Sequence, residues 1–365
     1  MPEPSPAARP RRRVPWTARL ALLAFGFGFA FVVAEAGFRV VAHAAEQRQF
    51  DDWQAVREQR TRERTGLGAG LGDMIYPSRH FDVIYEQLPN LDVQYVGHRY
   101  TTNADGFRGP QVARQKPPGV FRIVALGDSV MVGHGVDDGE EFVQVAANAL
   151  NAGGLQQRVE VVNTAMSGYN TTMEVAMLET RGLEWQPDLV WIDFVRNDYS
   201  LPNFIVARSD FLDLGRSWLM EWALAVTGDH QGGFEPLQNA PAQGDGGFAR
   251  TAETAPPEYR HHVGHDGYRR AMARLKQLQD RHGFAVLVTM HRYDDPFVRE
   301  ICAEHGFPFV RGNDAVDACM RARGIETYLG SELTVSDKDP HPSTVQHRIL
   351  GELYADWIRS SGLVK

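Results

Sequence analysis

The chain has 365 residues, enough for one large α/β domain with an appendage or for two domains. Hydrophobic residues make up 43% and charged residues 23%, an ordinary globular composition, and a formal net charge of -8 argues against a nucleic-acid partner, because phosphate binding requires a basic face. The two cysteines, Cys302 and Cys319, are too few for a disulfide scaffold or a four-thiolate metal site; they read as two separate packed thiols, with a single pairing open if the domain is exported.

Residues 1–13 form a basic tail containing Arg9, Arg11, Arg12 and Arg13. An uncharged run rich in Leu, Phe and Ala follows from Leu20 to Ala34, and the wider stretch 14–38 is mostly apolar and long enough for a bilayer. It reads as a transmembrane signal anchor. Arginines before the span and few basic residues just after it predict the N-terminus inside and the rest of the chain in the periplasm or outside the cell. A cleaved signal peptide is the competing reading, since Ala34-Glu35-Ala36 and Ala42-His43-Ala44 are small-x-small sites. Glu35 and Arg39, four residues apart, are spaced to pair at the outer interface.

Residues 39–72 read as a juxtamembrane stalk, polar and charged from 46 and punctuated by Gly66, Gly68, Gly70 and Gly72. Residues 73–119 read as a small β-containing lead-in, and 120–365 as the main domain. There, short apolar runs alternate with helical spacing: strands at Phe121–Leu126, Val159–Ala165, Leu189–Val195 and Phe284–Met290; helices at Glu141–Leu150, Thr171–Trp185, Gly267–Arg281, Pro296–His305, Asp314–Arg323 and Ser343–Ser360. Thr171 or Thr172 and Ser343 are the expected helix caps. Such alternation predicts a three-layer α/β/α fold around a central parallel sheet. Residues 199–262 interrupt it as a long insertion, in which Ser217–Val226 has an apolar helical pattern, suited to a lid, a membrane-facing surface or a peripheral packed helix. The stretch from Gln238 to Pro257 reads as a mobile loop.

Polar groups cluster where these strands end. Ser129 lies just past the first strand, in Gly127-Asp128-Ser129, where open α/β sheets bind ligands. Serine needs a base to become a nucleophile. His341 offers one in Asp337-Lys338-Asp339-Pro340-His341-Pro342, with a carboxylate two residues away to hold the ring. Gly168 follows the second strand, where a backbone N–H can approach a substrate closely, and Asn197 follows the third with an amide donor. Singly, each has a bland explanation as a cap, turn or surface pair; the set places one polar group at the end of each successive strand.

In this order the four blocks resemble those of the SGNH or GDSL hydrolases, over roughly residues 120 to 360. The stretch Gly127 to Val136 and the upstream Asn103-Ala104-Asp105-Gly106-Phe107-Arg108 look like membrane-anchored bacterial members. The resemblance implies a flavodoxin-like sheet, Ser129 as nucleophile, His341 as base, and an oxyanion hole of Ser129 N–H, Gly168 N–H and Asn197. It implies no metal or organic cofactor. Two positions depart from the family pattern. The acid is usually three residues before the histidine, where this chain has Lys338, so Asp339 is the choice; and Val195 stands where a glycine is usual. His347, one helical turn beyond, is a competing base expected to pack or face solvent.

The implied function is hydrolysis of an ester through an acyl-enzyme, on an acylated small molecule, glycan or lipid, with the membrane met through residues 14–38. An O-acyltransferase and a non-catalytic glycan-binding component of envelope assembly are the alternatives. A dinucleotide site is disfavoured because Gly133-His134-Gly135 lacks a third glycine at the required spacing. A metallohydrolase built on Asp128, Asn163, Asp198 and His341 lacks the usual paired ligand clusters near the early strands.

Overall fold

The computed structural model describes residues 15–206, 217, 219–220, 237–240 and 248–365. These fall into two compact units, one drawn from residues 15–49, 217 and 219–220 and the other from residues 50–206, 237–240 and 248–365. Helix α1 runs without interruption over Trp16–Arg64, so the polar stretch after residue 46 is helical as far as Arg64. Its portion Trp16–Ala44 has a mean hydropathy of 2.0 and no buried share, long and apolar enough to cross a membrane. On this helix Arg39 Nε donates to Glu35 at 2.9 Å, the pairing that their spacing suggests. Most of the apolar pattern Ser217–Val226 lies outside the described residues.

In the larger unit, the lead-in forms two antiparallel hairpins: β1 (Ile75–Pro77) with β2 (Tyr85–Gln87), and β3 (Asp92–Tyr95) with β4 (His98–Thr101). The second turns on Val96 and Gly97, both at positive φ (53° and 80°), as a two-residue hairpin turn of this hand requires. A β-branched residue rarely takes that conformation, so the turn carries no sequence signal.

The sheet that follows has five parallel strands: β5 (Val120–Leu126), β6 (Arg158–Asn163), β7 (Leu189–Asp193), then, beyond the short antiparallel pair β8 (Phe204–Val206) and β9 (Leu237–Asn239), β10 (Ala285–Met290) and β11 (Phe309–Arg311). Their spatial order is β11-β10-β7-β5-β6. Between them run α2 (Ser129–Val132), α3 (Phe142–Ala152), α4 (Thr171–Thr180), α5 (Gly264–His282), α6 (Pro296–His305), α7 (Asn313–Arg323) and, last, α8 (Thr344–Ser360).

Alternation along the strands builds two cores. Ile123 and Ala125 of β5 join Phe142 and Ala146 of α3 and Leu350 and Tyr354 of α8 on one face. Val124 and Leu126 face the other way, with Met173 and Leu178 of α4 and Met272 and Leu275 of α5. Each fully buried Ile, Leu or Met contributes roughly 1.5–3 kcal/mol. The result is the expected α/β/α sandwich. Arg122, wholly buried in β5, is held by two carbonyls (Arg114 at 3.1 Å, Trp185 at 3.0 Å) and by Glu160 at 2.7 Å, which offset the cost of burying its charge.

The structure departs from the sequence expectations in four places. Asn170, rather than Thr171 or Thr172, caps α4, its side chain accepting from Met173 N at 3.1 Å. Ser343 stands at the N-cap of α8 but makes no capping bond; its hydroxyl donates to the Glu332 carbonyl. Gln238, expected to open a mobile loop, pairs in β9 with Ile205. Strand β11, only three residues long, is too short to show periodicity and forms because β10 offers it a parallel edge at Val288 and Met290.

Candidate active site

The strand order places β5 between β6 and β7, with chain connections diverging to either side. This is the switch point at which the carboxyl ends of an open sheet leave a crevice. Ser129 begins α2 directly beyond β5, Gly168 lies beyond β6 and Asn197 beyond β7. Gly127 must be glycine, because a Cβ there would lie 2.4 Å from the Cβ of Met131. Its absence lets the strand turn at once into the helix that presents Ser129.

His341 reaches this point from the loop before α8. Its Nε2 lies 2.9 Å from Ser129 Oγ, and its Nδ1 lies 2.5 Å from Asp339 Oδ1. The backbone N–H of His341 donates to the same carboxylate oxygen at 3.0 Å, which locks the Asp-Pro-His turn. An ionised Asp339 accepts the Nδ1 proton, leaving the Nε2 lone pair facing the serine. Burial alone would raise the Asp339 pKa, but the His341 backbone and side-chain hydrogen bonds outweigh it and lower the value. Asp337 and Lys338 are exposed.

A second histidine shares Asp339. His134 Nε2 lies 3.0 Å from Oδ2, and its ring stacks on that of His341 with centroids 4.0 Å apart. Burial, and then the neighbouring His341, push the His134 pKa down to about 4. The neutral ring therefore donates from Nε2 to Asp339 and accepts at Nδ1 from the Tyr95 hydroxyl, 3.2 Å away. In the sequence His134 reads only as part of an incomplete dinucleotide loop. Its one signal was its place five residues after Ser129 in the same block.

The Ser129 hydroxyl has a second acceptor within reach, Asp128 Oδ2 at 3.0 Å. Asp128 is buried and caps α2 by accepting from Val130 N at 2.9 Å; its Oδ2 also accepts from Asn197 Nδ2 at 2.8 Å. Thus one buried carboxylate fixes both the serine turn and the asparagine amide. Gly168 has φ of 80°, and a Cβ there would fall 2.6 Å from Asn203 Oδ1 and 2.9 Å from Tyr85 OH, so conformation and space both demand glycine. Tyr85, from the lead-in, donates to the Ser167 carbonyl at 3.1 Å and so supports this loop. Ser129, Gly168, Asn197 and His341 line a cavity of about 390 Å³, together with Tyr293 and Tyr328.

The lead-in also holds the turn after α2. Arg108, fully buried, donates to the carbonyls of Val132, Gly133 and Val136 and pairs with Asp138 at 3.2 Å. This accounts for the Asn103 to Arg108 block in physical terms: its arginine satisfies three inward carbonyls of the loop bearing His134.

Below the site, Glu174 is fully buried beside Asp128 and Asp193, and Asp198 accepts from Thr171 Oγ1 at 2.9 Å. Burial, with these carboxylates crowding one another, pushes both the Glu174 and Asp198 pKa values well up. Asn163 donates to the Met131 carbonyl at 3.2 Å. Asp198 and Asn163 are therefore engaged in supporting the strand ends. Cys302 and Cys319 are both free thiols, and burial pushes the Cys302 pKa up to about 12.

His347 does not approach Ser129 as a rival base. It is buried, stacks on Phe142 and accepts from Phe142 N at Nδ1, 3.1 Å away. Burial, with Arg108 adding repulsion, pushes its pKa down to about 3. The unfolded chain binds this proton near pH 6.5 and the folded chain only near 3, so stability falls as pH drops through that window, by about 1.4 kcal/mol per pH unit. The buried Glu174, with its raised pKa, acts with the opposite sign. The histidine's share is therefore read as a difference: in urea titrations at pH 7.5 and 5.0, His347→Asn is expected to lose less stability on acidification than the parent chain. An equal loss in both would refute it.

No protein-family model and no curated protein matches the sequence. Among solved structures the chain is similar to a lipase/acylhydrolase from Enterococcus faecalis (18% identity over 67% of this chain and 98% of that one, TM-score 0.39). It is also similar to an acetylxylan esterase from Geobacillus stearothermophilus (16% identity, 67% of this chain and 96% of that one, TM-score 0.38) and to the acetyl xylan esterase AlAXEase (13% identity, 66% and 100%, TM-score 0.40). On its own strand order and layering, this chain carries the three-layer α/β/α fold that its four sequence blocks imply.

Proposed function

We propose that this protein is a serine ester hydrolase of the SGNH type, tethered by the helix at Trp16–Ala44 with its N-terminus inside and its larger unit outside the cytoplasm. The observation that carries the catalytic reading is the hydrogen-bonded chain from Ser129 Oγ through His341 to Asp339, set at the switch point beside Gly168 and Asn197.

In this mechanism His341 Nε2 takes the Ser129 proton as Oγ attacks the ester carbonyl. Asp339 stabilises the imidazolium that forms. The oxyanion receives hydrogen bonds from the backbone N–H groups of Ser129 and Gly168 and from Asn197 Nδ2. His341 then protonates the departing alcohol, and the acyl group stays on Oγ. Water, deprotonated by His341, attacks the acyl-enzyme; as the acid leaves, His341 returns that proton to Ser129 Oγ. Asp128 holds the Asn197 amide at 2.8 Å, so this donor is oriented before substrate arrives.

A cavity of about 390 Å³ has room for an acylated sugar unit beside Ser129, and Tyr293 and Tyr328 are among the side chains that line it. An O-acetylated extracytoplasmic glycan fits both features. Across p-nitrophenyl esters of increasing chain length, kcat/KM is expected to be highest for acetate and to fall beyond butyrate; a preference for long chains would overturn the substrate class. A fluorophosphonate probe is expected to label the parent chain but not Ser129→Ala. For Asn197→Ala the expected loss is on the order of 100-fold in kcat with KM little changed; a loss confined to KM would remove Asn197 from the oxyanion hole.

A further inference from the structure

We propose that Asp82, His261 and His262 form a binding site for a divalent transition cation of the zinc class, which clips the lead-in to the turn preceding α5. The proposal is independent of the hydrolase reading. The three donor atoms come from two separate parts of the chain: Asp82 from the short turn at Phe81–Val83 between β1 and β2, and the two histidines from the turn at Pro257–His262. All lie within 4.8 Å of one another.

Their geometry is close to that of a metal site. Three ligands of a tetrahedral zinc, each roughly 2.0–2.2 Å from the ion, stand about 3.3 Å apart. His262 Nε2 is 3.3 Å from Asp82 Oδ1. His261 Nε2 is 2.6 Å from the same oxygen and would retreat by about 0.7 Å to reach that ligand spacing, which its half-exposed side chain permits. Asp82 is similarly half-exposed, so solvent can enter and supply a fourth ligand. Two imidazoles and one carboxylate are an N/O donor set that suits zinc and its neighbours rather than calcium.

Proton bookkeeping at His262 gives a second, independent reason. The ring is fully buried, and its Nδ1 faces Asn170 Oδ1 at 3.4 Å. The Asn170 amide cannot be turned round, because Oδ1 accepts from Met173 N at 3.1 Å and Nδ2 donates to Ser200 O at 2.9 Å. His262 therefore has an oxygen opposite each ring nitrogen. A neutral ring carries one proton, so it donates to one of these oxygens and turns a nitrogen lone pair toward the other. A cation bound at Nε2 resolves this. Nδ1–H then donates to Asn170, the outer-shell arrangement that orients ligating histidines, and Asp82 meets the ion instead of a lone pair.

The test uses the untagged full-length chain in detergent, stripped with a chelator and titrated with Zn²⁺ against a chromophoric zinc indicator. One saturable site per chain, tighter than micromolar, is expected, with Zn²⁺ raising the melting temperature and excess Ca²⁺ not competing. His261→Ala, at a half-exposed position, should retain its far-UV circular dichroism, bind Zn²⁺ at least about 100-fold more weakly and lose the melting shift. Asp82→Asn should weaken binding in the same direction. His341→Ala distinguishes this site from the His134, Asp339 and His341 trio: unchanged Zn²⁺ binding supports the proposal. Absence of a saturable site in the parent chain, unaltered binding in His261→Ala, or loss of binding in His341→Ala would overturn it.

Discussion

Ser129→Ala is expected to lower kcat/KM for p-nitrophenyl acetate by about 10⁴-fold or more while leaving circular dichroism and melting temperature unchanged. The large effect follows from the chemistry: without Oγ there is no acyl-enzyme, and the oxyanion donors and His341 can act only on an attacking water. The small effect on folding follows from the surroundings. Oγ contacts His341 and Asp128, but Asp128 keeps its bonds from Val130 and Asn197, so no buried group is left without a partner. Steady-state rates on the purified parent and variant, with an active-site titration to exclude contaminating esterase, decide the matter. Retention of more than about a tenth of the activity would end the assignment of Ser129 as nucleophile.

Asp339→Asn is expected to cost about 10³–10⁴-fold, and Asp337→Asn less than about threefold. Asp339 accepts from two histidines at once, His341 through Oδ1 and His134 through Oδ2. An amide has one acceptor oxygen. If it serves His134, its NH₂ faces His341 Nδ1, which then must be the unprotonated nitrogen, and Nε2–H points at Ser129 as a donor. In that tautomer the ring cannot take the serine proton. If the oxygen instead serves His341, the NH₂ opposes the His134 donor and the charge that stabilises the imidazolium is gone. Both orientations therefore penalise catalysis. The kcat/KM values of the two variants on one short-chain ester provide the check; comparable losses, or a larger loss at Asp337, would place the acid elsewhere.

The layered architecture and the approximate position of each reactive block are legible in the chain's periodicity and order alone. Apolar runs such as Val120–Leu126, alternating with helical periodicity, leave a parallel sheet covered on both faces as the arrangement that buries them, and chain order then puts Ser129, Gly168 and Asn197 at successive strand ends. The Asp-Pro-His turn was also legible, because its hydrogen bonds run between residues two apart. Which groups share a proton depends instead on contacts between elements far apart in the chain. The contacts of His134 with Asp339 and of Asp82 with His261 join residues 205 and 179 positions apart, and those of Arg108 with the carbonyls beyond α2 span 24 to 28. None of these pairs leaves a periodic trace. The same holds for Val96 in its hairpin turn and Asn170 at the head of α4, where a local propensity yields to the packing of the surrounding chain. Periodicity records which face of an element is buried, whereas hydrogen-bond partners are fixed by distances across elements, and those exist only once the layers have closed.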